Sequence, residues 1–259
     1  MDKNSFFRCV RSGALFGCLS PEREKMKNEL LLILSVVLVY SVVIISYRLF
    51  GKDGLYAMSV FATVFANIEV LILVKGFGME MTLGNVMFAS TYLVTDILSE
   101  NEGKQSAARA VWLGVFASVA MLLFSQYALL YSPASSDWAM PHISAIFSST
   151  PRLLLASFLG YVISQRFDVW LYHKWWDYTT KKTGDSKGYL WLRNNGSTLV
   201  SQLVNTVIFT TVAFYGWYDT PSMINIMISS YVIYIATSLL DTPVVYIARY
   251  MKDKGYIKN

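Results

Sequence analysis

Six stretches of this chain, 28–47, 55–74, 110–131, 146–162, 199–215 and 223–248, are apolar over most of the length a helix needs to cross a bilayer. Nothing else in the sequence restricts its fold so severely. A seventh run, 82–98, is shorter and more polar. Charged residues make up 15% of the 259 residues against 54% hydrophobic, too few charges to solvate a globular surface. The expectation is an all-α integral membrane protein.

Residues 1–27 form a basic arm followed by an apolar stretch without a small-residue cleavage site, which favours a retained first helix over a signal peptide. Cys9 and Cys18 lie in that arm and are expected to stay reduced; with two histidines in the chain, no metal site and no cofactor is expected. The net charge of +5 is read as topology rather than as nucleic-acid binding. Lysine and arginine cluster in the arm, in 172–193 and in the tail, and are absent from 132–145 and 216–222. Both termini are therefore expected on the cytoplasmic side. That requires an even number of crossings between residues 28 and 100, where three apolar runs lie. The sequence thus predicts six transmembrane helices plus one re-entrant or short segment, 82–98, with seven full spans as the alternative. Non-spanning segments at membrane depth must be enclosed in protein or line a cavity. The expected organisation is a cytoplasmic arm at 1–27, one helical membrane domain at 28–250 and a cytoplasmic tail at 251–259.

Polar side chains inside the apolar runs recur at helical spacing. Asn85, Phe88, Tyr92, Asp96 and Ser99 share one face, with Glu100 a turn beyond Asp96. Tyr161, Gln165, Asp168 and Tyr172 form a second stripe, and Asn195, Thr198, Gln202 and Asn205 a third. Each taken alone reads equally well as an interhelical hydrogen-bond partner, at about 0.6 kcal/mol apiece. Together, three helices presenting carboxylates and carboxamides beside aromatic rings point to a cavity for a small polar, aromatic solute. Of the single residues, Glu69 is expected to need a basic partner such as Arg109 or Arg152. Asp241, before Thr242 and Pro243, reads as a kink or cap as readily as a ligand, and Trp175 and Trp176 fit an interfacial belt. The sequences of zinc proteases, serine hydrolases, nucleotide-binding loops and C-x-x-C redox sites are missing, so an enzyme is not expected.

The segments TLGNVMFASTYLVTDILSENEGKQSAARAVWLG (82–114), RLLLASFLGYVISQRFDVWLY (152–172) and LWLRNNGSTLVSQLVNTVIF (190–209) resemble the queuosine precursor transporter family, over roughly residues 55–250. The resemblance implies uptake across the cell membrane of 7-cyano-7-deazaguanine, 7-aminomethyl-7-deazaguanine or queuine. It also implies a six-helix fold like the substrate-binding subunits of energy-coupling-factor transporters, and it is compatible with a separate energy-coupling module or a homodimer. Under it, Glu100, Asp96 or Asp168 would accept the paired N–H donors of the base edge, and Gln165, Gln202, Asn85 or Asn195 would donate to its carbonyl. Tyr92, Phe88, Tyr161 or Trp112 would stack on the ring. Asn205 stands where the family is expected to carry Asp. An importer of another vitamin or nucleobase, an intramembrane enzyme and a structural scaffold are the rival readings.

Overall fold

The computed structural model describes residues 21–147, 151–185 and 188–257; of Pro21–Lys25, Glu80, Pro151 and Leu154 it describes the backbone alone. Residues 1–20, with Cys9 and Cys18, and positions 258–259 of the tail lie outside the described residues.

The first helical element, α1 (Pro21–Glu69), is two arms joined at Gly51, whose φ of 57° and ψ of −143° no ordinary L-residue adopts readily. The second arm folds back so closely that a Cβ on Gly54 would stand 2.3 Å from the carbonyl oxygen of Ser46. The chain then forms a hairpin of β1 (Leu73–Gly76) and β2 (Met79–Thr82), turned by Phe77 and Gly78, both at positive φ as a tight two-residue hairpin requires. No strand was expected here; the turn signal is the Gly-Phe-Gly triplet inside an apolar run. The hairpin sits at the start of α1, where Asn28 Nδ2 donates to the carbonyl of Lys75 and the Phe77 N–H donates to Glu29 Oε1. Five more helices follow the hairpin's exit: α2 (Gly84–Asn101), α3 (Lys104–Ala128), the short α4 (Met140–Phe147), α5 (Pro151–Thr183) and α6 (Leu190–Phe214), with α7 (Thr220–Asp253) closing the bundle as a sixth.

Side-chain contacts fix the direction of each helix. Tyr47 reaches Glu102, Tyr92 reaches Ser164 and Tyr172 reaches Glu100. Tyr234 meets Asn85 while Arg249 meets Glu100. The first arm of α1, α2, α5 and α7 therefore run one way; the second arm, α3 and α6 run the other. Three helical passes, not two, lie between residues 28 and 101. The beginning of α1 and the end of α7 consequently sit at opposite ends of the bundle, contrary to the parity expected from charge. Residues 84–98 of the polar run, expected as a re-entrant or short segment, lie in an uninterrupted helix of 18 residues, about 27 Å long at helical rise.

The helix α2 can be short and polar because other helices enclose it. Every residue from Ala89 to Ser99 is buried, so it has no apolar outer face to show. Four helices long and apolar enough to cross a membrane surround it or pack nearby, Met26–Glu69, Lys104–Ala128, Leu190–Phe214 and Thr220–Asp253. With α5 they bury α2's polar atoms against partners from other helices. The exposed surfaces of the outer helices, by contrast, are large apolar side chains such as Leu34, Leu38, Phe116, Phe124, Val207 and Leu239. In a bilayer these face acyl chains.

Candidate functional site

Polar groups run along α2 from end to end. At its start Asn85 Oδ1 accepts from Thr82 and from Tyr234 Oη, at 3.0 and 3.1 Å, while its Nδ2 has no acceptor. One turn on, the ring of Phe88 lies 5.6 Å from that of Tyr92, 6.2 Å from Tyr161 and 6.1 Å from Tyr234. This is an aromatic cluster gathered from α2, α5 and α7. Tyr92 donates to Ser164 at 2.7 Å, and Gln165 bridges α5 to α2 by donating to Thr91 and accepting from Thr95.

Past this cluster come two carboxylates. Thr198 donates to Asp96 Oδ2 at 3.0 Å and Ser201 to Asp168 Oδ1 at 2.7 Å. Both side chains are completely buried and lie close enough to interact directly. The two carboxyls can share a proton between them, and beyond that Asp96 Oδ1 and Asp168 Oδ2 have no hydrogen-bond partner. Nearby on α6, Gln202 Oε1 is likewise buried without a donor. Buried polar atoms of native proteins almost always have partners, and an unpaired one costs about 1–3 kcal/mol, more when charged. A concentration of such atoms is therefore an arrangement that a donor-rich ligand would complete.

Glu100, one turn beyond Asp96, has the opposite character. Arg193 Nε and Nη2 reach its two oxygens at 2.7–2.9 Å, Tyr172 donates to Oε2 at 2.7 Å, and Arg249 Nη1 stands 3.2 Å from Oε1. Arg193 also lies over the ring of Trp176, 4.3 Å from its centroid, so that tryptophan packs on the cluster instead of belonging to a simple interfacial belt. At the same end Lys252 pairs with Glu102, which also accepts from Tyr47. These contacts tie α1, α2, α5, α6 and α7 together at one end of the bundle.

Of the twelve residues nominated from sequence, Phe88, Tyr92, Asp96, Gln165, Asp168, Thr198 and Gln202 converge around the interior of α2, with Asn85 at its start. Four do not fit. Glu100 has its lone pairs taken by protein donors. Trp112 is half exposed on the outside of α3 beneath Arg166, with 5.1 Å from guanidinium to ring centroid. Asn195 is spent on α7, donating to Thr242 and accepting from Ser238. Asn205 packs against α5, where a Cβ on Gly160 would come within 2.5 Å of its Oδ1. Arg109 and Arg152, the expected partners of Glu69, are engaged elsewhere: Arg109 lies over Tyr56, while Arg152 donates to the carbonyls of Val212 and Tyr215. Sequence reasoning missed Ser164, Ser201 and Tyr234, since a lone hydroxyl in an apolar run carries no pattern. It also counted Arg193 as a topology charge although the residue is fully buried.

A cavity lies elsewhere, a groove of about 820 Å³ between the first arm of α1 and α7. Its walls are mainly apolar, with Leu32, Val36, Ile44, Ile233 and Val244 among them, and it meets the polar interior at Asn85, Thr82, Tyr40 and Thr237. Volume alone would choose this groove. The concentration of unmatched polar atoms chooses the Asp96–Asp168 region, because specificity comes from a few placed polar groups.

Comparison with known proteins agrees with a transport protein. The family model described as "Putative vitamin uptake transporter" matches residues 82–248, which contain α2 through most of α7. A protein of Bacillus subtilis (strain 168) named "Probable queuosine precursor transporter" is 40% identical over 226 residues, covering 87% of this chain and 96% of its own length. No solved structure matches. Three polar stripes turned into the bundle, an apolar exterior and this likeness along most of the chain place it in one group: the protein belongs to the vitamin uptake transporter family.

Proposed function

We propose that this membrane transporter imports queuosine precursors, and that Asp96 and Asp168 read the edge of the deazaguanine ring. The observation that supports the reading is the pair of enclosed carboxyls whose Asp96 Oδ1 and Asp168 Oδ2 have no hydrogen-bond partner beyond each other's carboxyl. A 7-deazaguanine offers donors for both: a ring N–H beside an exocyclic amine. The Phe88, Tyr92, Tyr161 and Tyr234 cluster supplies ring faces within reach of the same helix. Gln202 stands on the flanking α6 as an amide for the base carbonyl, while Gln165 holds α5 to α2. The name of the Bacillus subtilis relative supports the substrate class.

The seven antiparallel passes are read as seven membrane crossings. The end bearing Lys104, Lys181, Lys182, Lys252 and Lys254 is then cytoplasmic, and the start of α1 lies on the other face. The Glu100–Arg193 cluster closes the cytoplasmic end of the bundle in this arrangement.

The test is ligand-induced thermal stabilisation of the purified full chain in detergent with 7-cyano-7-deazaguanine, 7-aminomethyl-7-deazaguanine, queuine and guanine. A saturable upward shift with a deazaguanine, lost in Asp96→Asn and Asp168→Asn proteins that remain folded, is expected. A folded wild-type protein that responds to none of the four compounds refutes the proposal. A response that survives both substitutions refutes the placement of the site.

A further inference from the structure

Asp241 is a third enclosed carboxylate, in the middle of α7, and nothing described above uses it. It is 1% exposed, and its Oδ1 receives no donor. The register that pairs Asn85 with Tyr234 and Glu100 with Arg249 sets Asp241 level with Tyr92, about one turn from Asp96. Its electrostatic neighbours are Asp168 and the Tyr40 hydroxyl, and Asp96 feels its charge in turn. The partners of Asp241 are the Tyr40 hydroxyl, by a hydrogen bond, and the Asp168 charge, with no lysine, arginine or histidine among them in the described residues. The three aspartates are spread along the interior, and among the described residues no group of acidic, histidine or cysteine side chains is gathered to hold a metal ion.

A second group of the same kind lies on α6, against the residue that follows Asp241 in α7. Asn194 is fully buried and its Nδ2 points to Thr242, the neighbour of Asp241, at 3.3 Å, yet its own Oδ1 has no donor. An acceptor pair from two helices, one of them anionic, beside two further carboxyls and without a cation, suits a group that brings a positive charge and several N–H donors. An alkylammonium does both, with three donors and no acceptor.

We propose that Asp241, assisted by Asn194, is the counter-ion for a protonated amine carried by the ligand, so that the protein prefers an aminomethyl-substituted base to its neutral analogue. This rests on the reading of the interior as a base-binding site and adds the substituent that the site selects. The amide and carboxyl of α6 and α7 take the ammonium, while the Asp96–Asp168 pair remains for the ring edge.

The experiment compares binding of 7-aminomethyl-7-deazaguanine and 7-cyano-7-deazaguanine to the purified full chain by calorimetry. The two share the ring and differ in whether the substituent carries a charge. The aminomethyl compound is expected to bind at least about tenfold tighter, the range of one charge-assisted hydrogen bond. In Asp241→Asn that ratio should fall to within about threefold, and Asn194→Ala should lower it by a smaller factor. Equal affinity of the wild-type protein for the two compounds overturns the assignment of Asp241 while leaving base recognition standing, and it does so whether or not either variant folds. A ratio unchanged in Asp241→Asn overturns it too. Binding of neither compound removes both this inference and the reading on which it rests.

Discussion

Replacing Arg193 by alanine should damage this protein more than any other single change at the closed end of the bundle. The guanidinium is fully buried and the Glu100 side chain is 3% exposed, so the pair is out of water on both sides. Removing one member of such a pair strands the other and costs roughly 3–5 kcal/mol. Arg249 at 3.2 Å and Tyr172 at 2.7 Å would still hold Glu100, which argues for the lower part of that range. The lost packing on Trp176 adds about 0.5–1 kcal/mol. A total near 3–4 kcal/mol corresponds to a fall of roughly 10 °C in apparent melting temperature for a chain of this size. Glu100→Gln should cost a similar amount, since it leaves Arg193 with a neutral partner. The double variant Arg193→Met, Glu100→Leu removes both charges together and should recover more than half of the loss, because an apolar replacement of a buried pair is often neutral. Melting curves of the four proteins in one detergent make the comparison. Single variants that melt within about 2 °C of wild type, or a double variant that loses the sum of the two singles, would refute the assignment of these residues to a locked ion pair.

Trp112→Leu should leave melting temperature and precursor binding within about 2 °C and twofold, since the ring faces outward from α3; a loss of binding would show that the residue reaches the site. Gly114→Ala should destabilise by about 1–3 kcal/mol, because its Cβ would stand 2.1 Å from the Tyr161 hydroxyl and push that ring toward Phe88. Thermal melting checks this, with an unchanged curve as the contrary result. With Cys9 and Cys18 replaced by serine, Lys27→Cys and Lys254→Cys should be labelled by a membrane-impermeant maleimide from opposite sides of the membrane. Labelling of both from one side would contradict seven crossings.

The three polar stripes were legible because helical spacing is local information: Asn85, Phe88, Tyr92, Asp96 and Ser99 share a face whatever surrounds them. Which stripe member is free and which is occupied was not legible, since that depends on partners distant in sequence. Glu100 and Arg193 are 93 residues apart, and Asn195 finds Thr242 across 47. The uninterrupted helix over 84–101 was not legible for a related reason. Hydropathy follows an apolar exterior, and α2 is enclosed by other helices, so its polarity resembled that of a shorter segment. Trp112 was misplaced because one aromatic residue, outside any stripe, carries no information about which side of its helix is buried.

Asp96 and Glu100 show how far composition falls short of chemistry. They stand one turn apart on one helix, and both side chains are screened from solvent. Glu100 collects two guanidinium groups and a phenol; Asp96 collects one threonine hydroxyl and the proximity of two other carboxyls. Had the cluster at Glu100 served only to neutralise acid, one of its two arginines would suffice there and the other could serve the aspartates. Both cations are instead held at the end of the bundle. The middle of α2 is left with acceptors in excess of donors, and in the proposed reading it is the substrate that redresses that imbalance. A transport substrate that carries N–H groups on one edge is such an entrant, and when it leaves, the protein returns to the less satisfied state. An interior completed by its own residues would hold no such reason to take the substrate up.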